Sequence, residues 1–247
     1  MTDLYLIRHG HYIGVEEGFL TDKGLSPLGV RQAQRLRDRL RATREIAADA
    51  LIASTMPRAM QTAELLAPAL GLPVIPDPEV QEWHNDETEP ITPEDFHARL
   101  DATPDVEIPF MEVTPGAETW AQFMTRAAAA LQRISRAYDG KTIVVVCHGG
   151  IIQAAFHYFF GLSTLRLPSA YVDSDHTAVT HWKRLALRPS QNNWMLARYN
   201  DALHLRDLHG PTRIPWSALP PLTAQSPAEQ LASALAEEHG TDTVHAE

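Results

Sequence analysis

Hydrophobic and polar positions along the chain follow two alternating rhythms. Short apolar runs suited to strands ("LYLI", "ALIAS", "LPVIP", "TIVVVC", "AVTHW" and "WMLARY") are separated by longer stretches in which apolar residues return every three or four positions. After Ser26 and Pro27 the repeat is Ala33, Leu36 and Leu40; after Pro57 it is Ala59, Ala63, Leu66 and Leu70. In "AETWAQFMTRAAAALQRI" Trp120, Phe123, Ala127, Leu131 and Ile134 share one face. "IIQAAFHYFFG" ends in Gly161, the residue type expected just past a helix. Pro27 and Pro57 fit first helical positions, where a missing N–H costs nothing. Ser54 and Thr55 are candidate caps of the helix that Pro57 opens.

Strands alternating with helices predict an α/β fold: a three-layer sandwich with a mostly parallel central sheet and helices on both faces. The unbroken apolarity of "LYLI" and "IVVVC" agrees, because parallel strands are covered on both sides. Residues 77–115 break the rhythm. They are rich in proline and acid, with one short helix expected over 93–100, and read as a small cap inserted over one end of the sheet. The organisation expected is a catalytic domain over 1–219, followed by a polar, alanine-rich and mobile tail over 220–247 with a short helix at 228–238.

Composition narrows the classes. Of 247 residues 44% are hydrophobic, enough for one sizeable core. Lysine plus arginine total 21 and aspartate plus glutamate 31, a formal net charge of −10. Such a chain is a poor partner for nucleic acid, whose sequence-independent binding rests on neutralising phosphates. Any anion it binds must meet a local cluster of cations working against the global field. Cys147 is the only cysteine, so no intrachain disulfide forms, and its apolar surroundings mark a small buried thiol. The opening residues do not read as a signal peptide, since Asp3 is acidic and the apolar stretch stops at Arg8. No segment approaches the ~20 apolar residues of a bilayer span. The expectation is a soluble, cytoplasmic protein with neither nucleic acid nor membrane as partner.

The chemistry lies where strands end. "LYLIRHG" and "VVVCHGG" each run an apolar strand into His-Gly, at His9 and His148. Ligand sites of parallel α/β sheets lie outside the carboxyl ends of the strands, so both imidazoles should enter one crevice. Gly10, Gly149 and Gly150 allow backbone close to a ligand, and the helix after Gly150 offers unpaired N–H groups to an anion. "LIASTMPRAMQTAE" repeats the logic and puts Arg58 in the first turn of a helix. Arg8, His9, Arg58 and His148 therefore converge. Two permanent guanidiniums and two imidazoles in a crevice of an acidic protein suit a phosphoryl group, whose oxygens match arginine's planar fork. Without an anion, burying them together would carry a desolvation and repulsion cost.

These motifs, with "LSPLGVRQAQRL" and "STMPRAMQTAELL" between them, resemble the histidine phosphatase superfamily, the phosphoglycerate mutase-like fold, in order and over most of residues 4–160. "PGAETWAQFMTRA" is similar to the family's Gly-Glu-Ser segment, with Ala117 and Thr119 as departures. The resemblance implies that His9 is the nucleophile and becomes a phosphohistidine. Arg8, Arg58 and His148 would clamp the non-bridging oxygens, with no cofactor and no metal. Gly10, His11 and Gly149 would line the substrate site. Of the acids Glu79, Glu82, Asp86, Glu87 and Glu89, the family's pattern favours Glu82 as proton donor, its carboxyl raised by partial burial and by the phosphate dianion. The nitrogen of His9 that does not attack should donate to a backbone carbonyl.

Where many relatives carry Arg-His-Gly-x-Thr-x-x-Asn, Tyr12 and Val15 stand instead. That departure argues against a glycolytic phosphoglycerate mutase and leaves one phosphate ligand open, which His11 either replaces or does not. Glu118 contacts substrate or merely complements a helix dipole in the first turn; His176 is assigned to the core or rim. Trp83, His84, Phe96 and Phe110 either hold a ring of the substrate or form the insertion's own small core. The reading is a phosphomonoester hydrolase acting on a small phosphorylated metabolite and releasing inorganic phosphate. The alternatives are a phospho-ligand or phosphoprotein-binding module with little turnover, a protein phosphatase, or a zinc hydrolase using His9, His11, His84 and His148.

Overall fold

The apolar runs become strands and the periodic stretches become helices. A computed structural model of the chain describes residues 1–13, 15–16, 19–83, 91–166, 170–188, 191–206 and 208. In order these form β1 (Thr2–Arg8), a small antiparallel hairpin of β2 (Val15–Glu16) and β3 (Phe19–Leu20), α1 (Pro27–Thr43), β4 (Ala50–Ala53), α2 (Pro57–Leu70) and β5 (Val74–Pro76). Then come α3 (Pro93–Asp101), α4 (Trp120–Ala137), β6 (Thr142–Cys147), α5 (Gly149–Phe160), β7 (Val179–Arg188) and β8 (Gln191–Asp201). The described part lies within one compact unit, Met1–Pro211. The tail expected over 220–247, with its helix at 228–238, falls outside the described residues.

The main sheet runs β5-β4-β6-β1-β7-β8. Its first four strands are parallel, β7 is antiparallel to β1, and β8 to β7. β1 is central, with Asp3 opposite Thr142 of β6 on one side and Lys183 of β7 on the other. Successive side chains of a strand point to opposite faces. Leu4, Leu6, Ala50, Ile52, Ile143 and Val145 pack with α4 and α5, while Tyr5, Ile7, Leu51, Val144 and Val146 pack with α1 and α2. This is the three-layer sandwich that the doubly apolar strands predict.

Helix registers follow the spacing. Ala33, Leu36 and Leu40 bury the inner face of α1, and Trp120, Phe123, Ala127, Leu131 and Ile134 that of α4. Each large side chain so covered contributes about 1.5–3 kcal/mol. Proline opens α1 and α2, and Gly161 closes α5 in the left-handed region with φ 67°. Two capping expectations fail. Met56 is the N-cap of α2 and makes no side-chain cap bond, because the cap falls immediately before Pro57; Ser54 Oγ instead accepts the Met56 N–H at 3.3 Å. Glu118 is not in the first turn of α4, since Thr119 takes the N-cap and forms a capping box with Gln122.

The described residues of 77–115 form a 3₁₀ turn at Pro78–Val80, α3, and another 3₁₀ turn at Ile108–Phe110. Trp83 lies edge-on to Phe96 and Trp120, with ring centroids 6.1 and 5.5 Å apart, so these aromatics form the insertion's own core against α4. Phe110 is exposed. His84, Asp86, Glu87 and Glu89 lie outside the described residues. Among the described residues no helix is long and apolar enough to cross a membrane.

Candidate active site

β1 and β6 are parallel neighbours, so their carboxyl ends lie side by side, and the His9 N–H bonds the Cys147 carbonyl at 2.9 Å. The rings of His9 and His148 consequently meet at 5.1 Å between centroids. Arg58 reaches the same point from the first turn of α2, its Nε–H donating to His9 Nε2 at 3.1 Å. His9, Arg58 and His148 are all buried, and Arg8 is half-buried beside them. The four residues singled out by their place at strand ends are brought together.

Each is held by the protein in a particular state. His9 Nδ1 lies 2.8 Å from the Gly10 carbonyl, so Nδ1 carries the proton and Nε2 the lone pair. This is the backbone acceptor that the sequence could not identify. His148 Nε2 lies 2.7 Å from Ser54 Oγ, while its Nδ1 is buried and has no partner among the described residues. Arg8 donates through Nη1 to the Ser174 carbonyl, and its Nε is likewise buried with no partner among the described residues. Burial first, then the neighbouring guanidiniums and imidazoles, hold His9 and His148 well below the usual imidazole range. Both are neutral near pH 7, which His9 needs if it is to attack anything.

Counter-ions for the guanidiniums come from residues the sequence reading did not single out. Asp22 Oδ2 accepts from Arg58 Nη1 at 2.8 Å, and Asp173 lies 4.0 Å from Arg8. Asp22 belongs to a turn in which its Oδ1 also accepts the Gly24 N–H at 2.9 Å. Asp-Lys-Gly is recognisable turn chemistry, but nothing in it points to Arg58. Tyr12 lies beneath the Arg58 guanidinium at 4.5 Å and edge-on to His9 at 5.2 Å, forming a wall of the site.

The glycines divide. Both backbone groups of Gly10 are used inside the protein: its N–H donates to Thr62 Oγ1 at 3.0 Å and its carbonyl accepts from His9. A side chain there would come within 2.8 Å of the Gly29 carbonyl on α1, so packing by itself requires the glycine. Gly149 begins α5 beside the Arg8 guanidinium, and a Cβ there would make only ordinary contact at 3.9 Å. His11 Nδ1 is tied to Ser26 Oγ at 2.8 Å, at the cap of α1.

Glu82 lies at the amino end of α5. Its Oε2 accepts the Gly150 N–H and its Oε1 the Trp83 N–H, both at 3.0 Å. A Cβ on Gly150 would fall 2.0 Å from Glu82 Oε1, so the missing side chain makes room for this carboxylate. Glu118 is paired with a residue of α4. Its two oxygens each accept from Arg126 at 2.7 Å, and Arg126 in turn donates to the carbonyls of Glu79, Gln81 and Glu82 at 2.9 to 3.1 Å. The segment carrying Glu82 is thereby fixed to α4. His176, assigned to core or rim by the sequence, has its ring 5.5 Å from His9 and 5.3 Å from His11.

The zinc alternative fares poorly on the same geometry. His84 lies outside the described residues, and the His9 lone pair that a metal would need already faces Arg58.

Comparison with known proteins bears on the family and the fold. The family model of the histidine phosphatase superfamily (branch 1) matches residues 4–202. "Phosphoglycerate mutase-like protein 4" of Arabidopsis thaliana is 32% identical over 62% of this chain and 69% of its own length. A "metal-independent phosphoserine phosphatase" of the same plant is 27% identical over 83% of this chain and 84% of its own. Among solved structures, a Bacillus stearothermophilus protein, YhfR, superposes with a TM-score of 0.65 at 25% identity, covering 83% of this chain and 100% of its own.

Proposed function

The chain belongs to the histidine phosphatase superfamily, and from that membership we propose that it is a metal-independent phosphomonoester hydrolase working through a phosphohistidine on His9. The observation that carries the reading is a pair of buried nitrogens, Arg8 Nε and His148 Nδ1, that have no partner among the described residues and belong to the cluster around the His9 lone pair. Buried polar atoms are rarely left unpaired, and phosphoryl oxygens are partners of the right charge and geometry.

The proposed steps are as follows. His9 Nε2 attacks phosphorus in line with the leaving oxygen, forming the N–P bond as the ester P–O bond breaks. Arg8, Arg58 and His148 hold the non-bridging oxygens, and Arg58 exchanges its contact with Nε2 for one with the phosphoryl group. Glu82, entering the step with a proton on its carboxyl, gives that proton to the departing alkoxide and is left as the carboxylate. It then accepts a proton from the water that attacks phosphohistidine, which releases inorganic phosphate and returns His9 neutral. Phosphoryl transfer depends mostly on positioning and charge stabilisation, which is what this arrangement offers.

The substrate proposed is a small phosphorylated metabolite. A relative named for phosphoserine supports that class and makes phosphoserine the first compound to test. The Tyr12 wall and the absence of Asn at Val15 favour hydrolysis over mutase chemistry. A binding module with little turnover, or a protein phosphatase, would separate in the same panel of metabolites and phosphopeptides. Rapid quench with radiolabelled substrate should trap an acid-labile, alkali-stable label in the native enzyme and none in His9→Ala. Full turnover by His9→Ala would falsify the proposal.

A further inference from the structure

His176 is the member of the cluster for which neither packing nor the steps above have a use. Its half-buried ring lies edge-on to His11, whose own Nδ1 is anchored on Ser26, and 5.5 Å from His9. Its ring nitrogens make no hydrogen bond to another described residue. A histidine placed for the core would be satisfied, and one placed for solubility would not be set against two guanidiniums.

The backbone beside it is strained to put it there. Thr177 has φ 60°, a left-handed conformation that is a genuine outlier for a β-branched residue. Strain of this kind persists only where the surroundings over-determine it. The Thr177 N–H bonds the carbonyls of Arg8 and His9 at 3.0 and 3.3 Å, and its Oγ1 lies 2.8 Å from His204 Nε2. Asn200, itself at φ 51°, holds Asp175 through its N–H at 2.7 Å and its carboxylate at 3.1 Å. Arg8 grips the Ser174 carbonyl. Residues 174–177 are thus fixed from three sides, and the unpaired side chain they present beside His9 is His176.

We propose that His176 is a further substrate contact, its imidazole N–H donating to an oxygen of the phosphoryl group that His9 attacks. The inference rests on the phosphohistidine reading above and adds a ligand to it. Burial first, then Arg8, His11 and Arg58, lower the His176 pKa to about 3, so the ring is neutral in the empty site and adds no repulsion there. A neutral imidazole still has one N–H to give, and a dianion is the acceptor that makes it most useful.

The test compares His176→Phe, which keeps ring volume without a hydrogen bond, and His176→Asn, which keeps a neutral N–H. The readouts are competitive inhibition by inorganic phosphate and kcat/KM on p-nitrophenyl phosphate, with thermal melts alongside. The expected result is a roughly tenfold or greater rise in the phosphate inhibition constant for Phe, with most of the affinity kept by Asn. Equal inhibition constants for wild type and His176→Phe overturn the inference. If His9→Ala is inactive in the same assay, the phosphohistidine reading survives that result; if His9→Ala turns over normally, the reading itself falls.

Discussion

Arg58 Nε donates to the very nitrogen of His9 that is free of a proton, 3.1 Å away, while the opposite nitrogen is committed to the Gly10 carbonyl. On the mechanism proposed above, the lone pair that attacks is held in register by a cation that the incoming phosphoryl group must recruit. Asp22 accepts from Nη1 of the same guanidinium at 2.8 Å and so fixes its orientation.

Replacing Arg58 by Ala should lower kcat on the order of 100- to 1000-fold, the scale for one charge-stabilising donor. Arg58→Lys should recover little, because a point charge cannot face His9, Asp22 and phosphate at once. Steady-state kinetics on p-nitrophenyl phosphate decide it, and near-native activity in the Lys variant counts against the fork.

Gly150→Ala isolates the role of Glu82. The new methyl would fall 2.0 Å from Glu82 Oε1 and 2.9 Å from Phe123 Cζ, so the carboxylate must swing away. The expected outcome is a folded protein whose kcat is down by about 100-fold, the lower range for a lost general acid. A melting curve within a few degrees of wild type with unchanged kcat would remove Glu82 from the mechanism.

Arg126→Met tests the strut between α4 and the Glu82 segment. Three carbonyls and the Glu118 carboxylate lose their donor, so kcat should fall about 10- to 100-fold with KM little altered. Since Glu82 is loosened rather than removed, the pH profile of kcat should also shift. A pure stability loss with an unchanged profile would mean that Arg126 only holds the fold together.

Acid should destabilise the empty protein well before its carboxylates titrate. His9 and His148 are held well below the usual imidazole value, His176 at about 3 and His204 at about 4, in every case chiefly by burial. An unfolded chain protonates its histidines near pH 6.5, so below that pH the unfolded state binds more protons and stability falls. At pH 5 each such group accounts for up to about 2 kcal/mol. Melting temperatures should drop steadily from pH 7.5 to 5, and a flat series would contradict the buried, neutral state of these rings.

Alternating periods, strand-end histidines and helix-opening prolines carried the architecture and the quartet in the sequence, because each is a local rule with a fixed spacing. The failures were of another kind. Asp22 and His176 reach the site through turns, whose course no periodicity encodes. Glu118 looked like a dipole or substrate contact because its partner, Arg126, two helical turns further along α4, is invisible without the segment it pins. Gly10 was assigned to ligand approach, whereas the neighbour that excludes a side chain there, Gly29, comes from another element.

β1 is made first, yet its two neighbours in the sheet begin at Thr142 and Val179, and His9 is framed by backbone from both sides, at Cys147 and Thr177. The walls on either side of that imidazole are thus drawn from distant parts of the chain, and the pocket's shape exists only where β6 and β7 are both paired with β1.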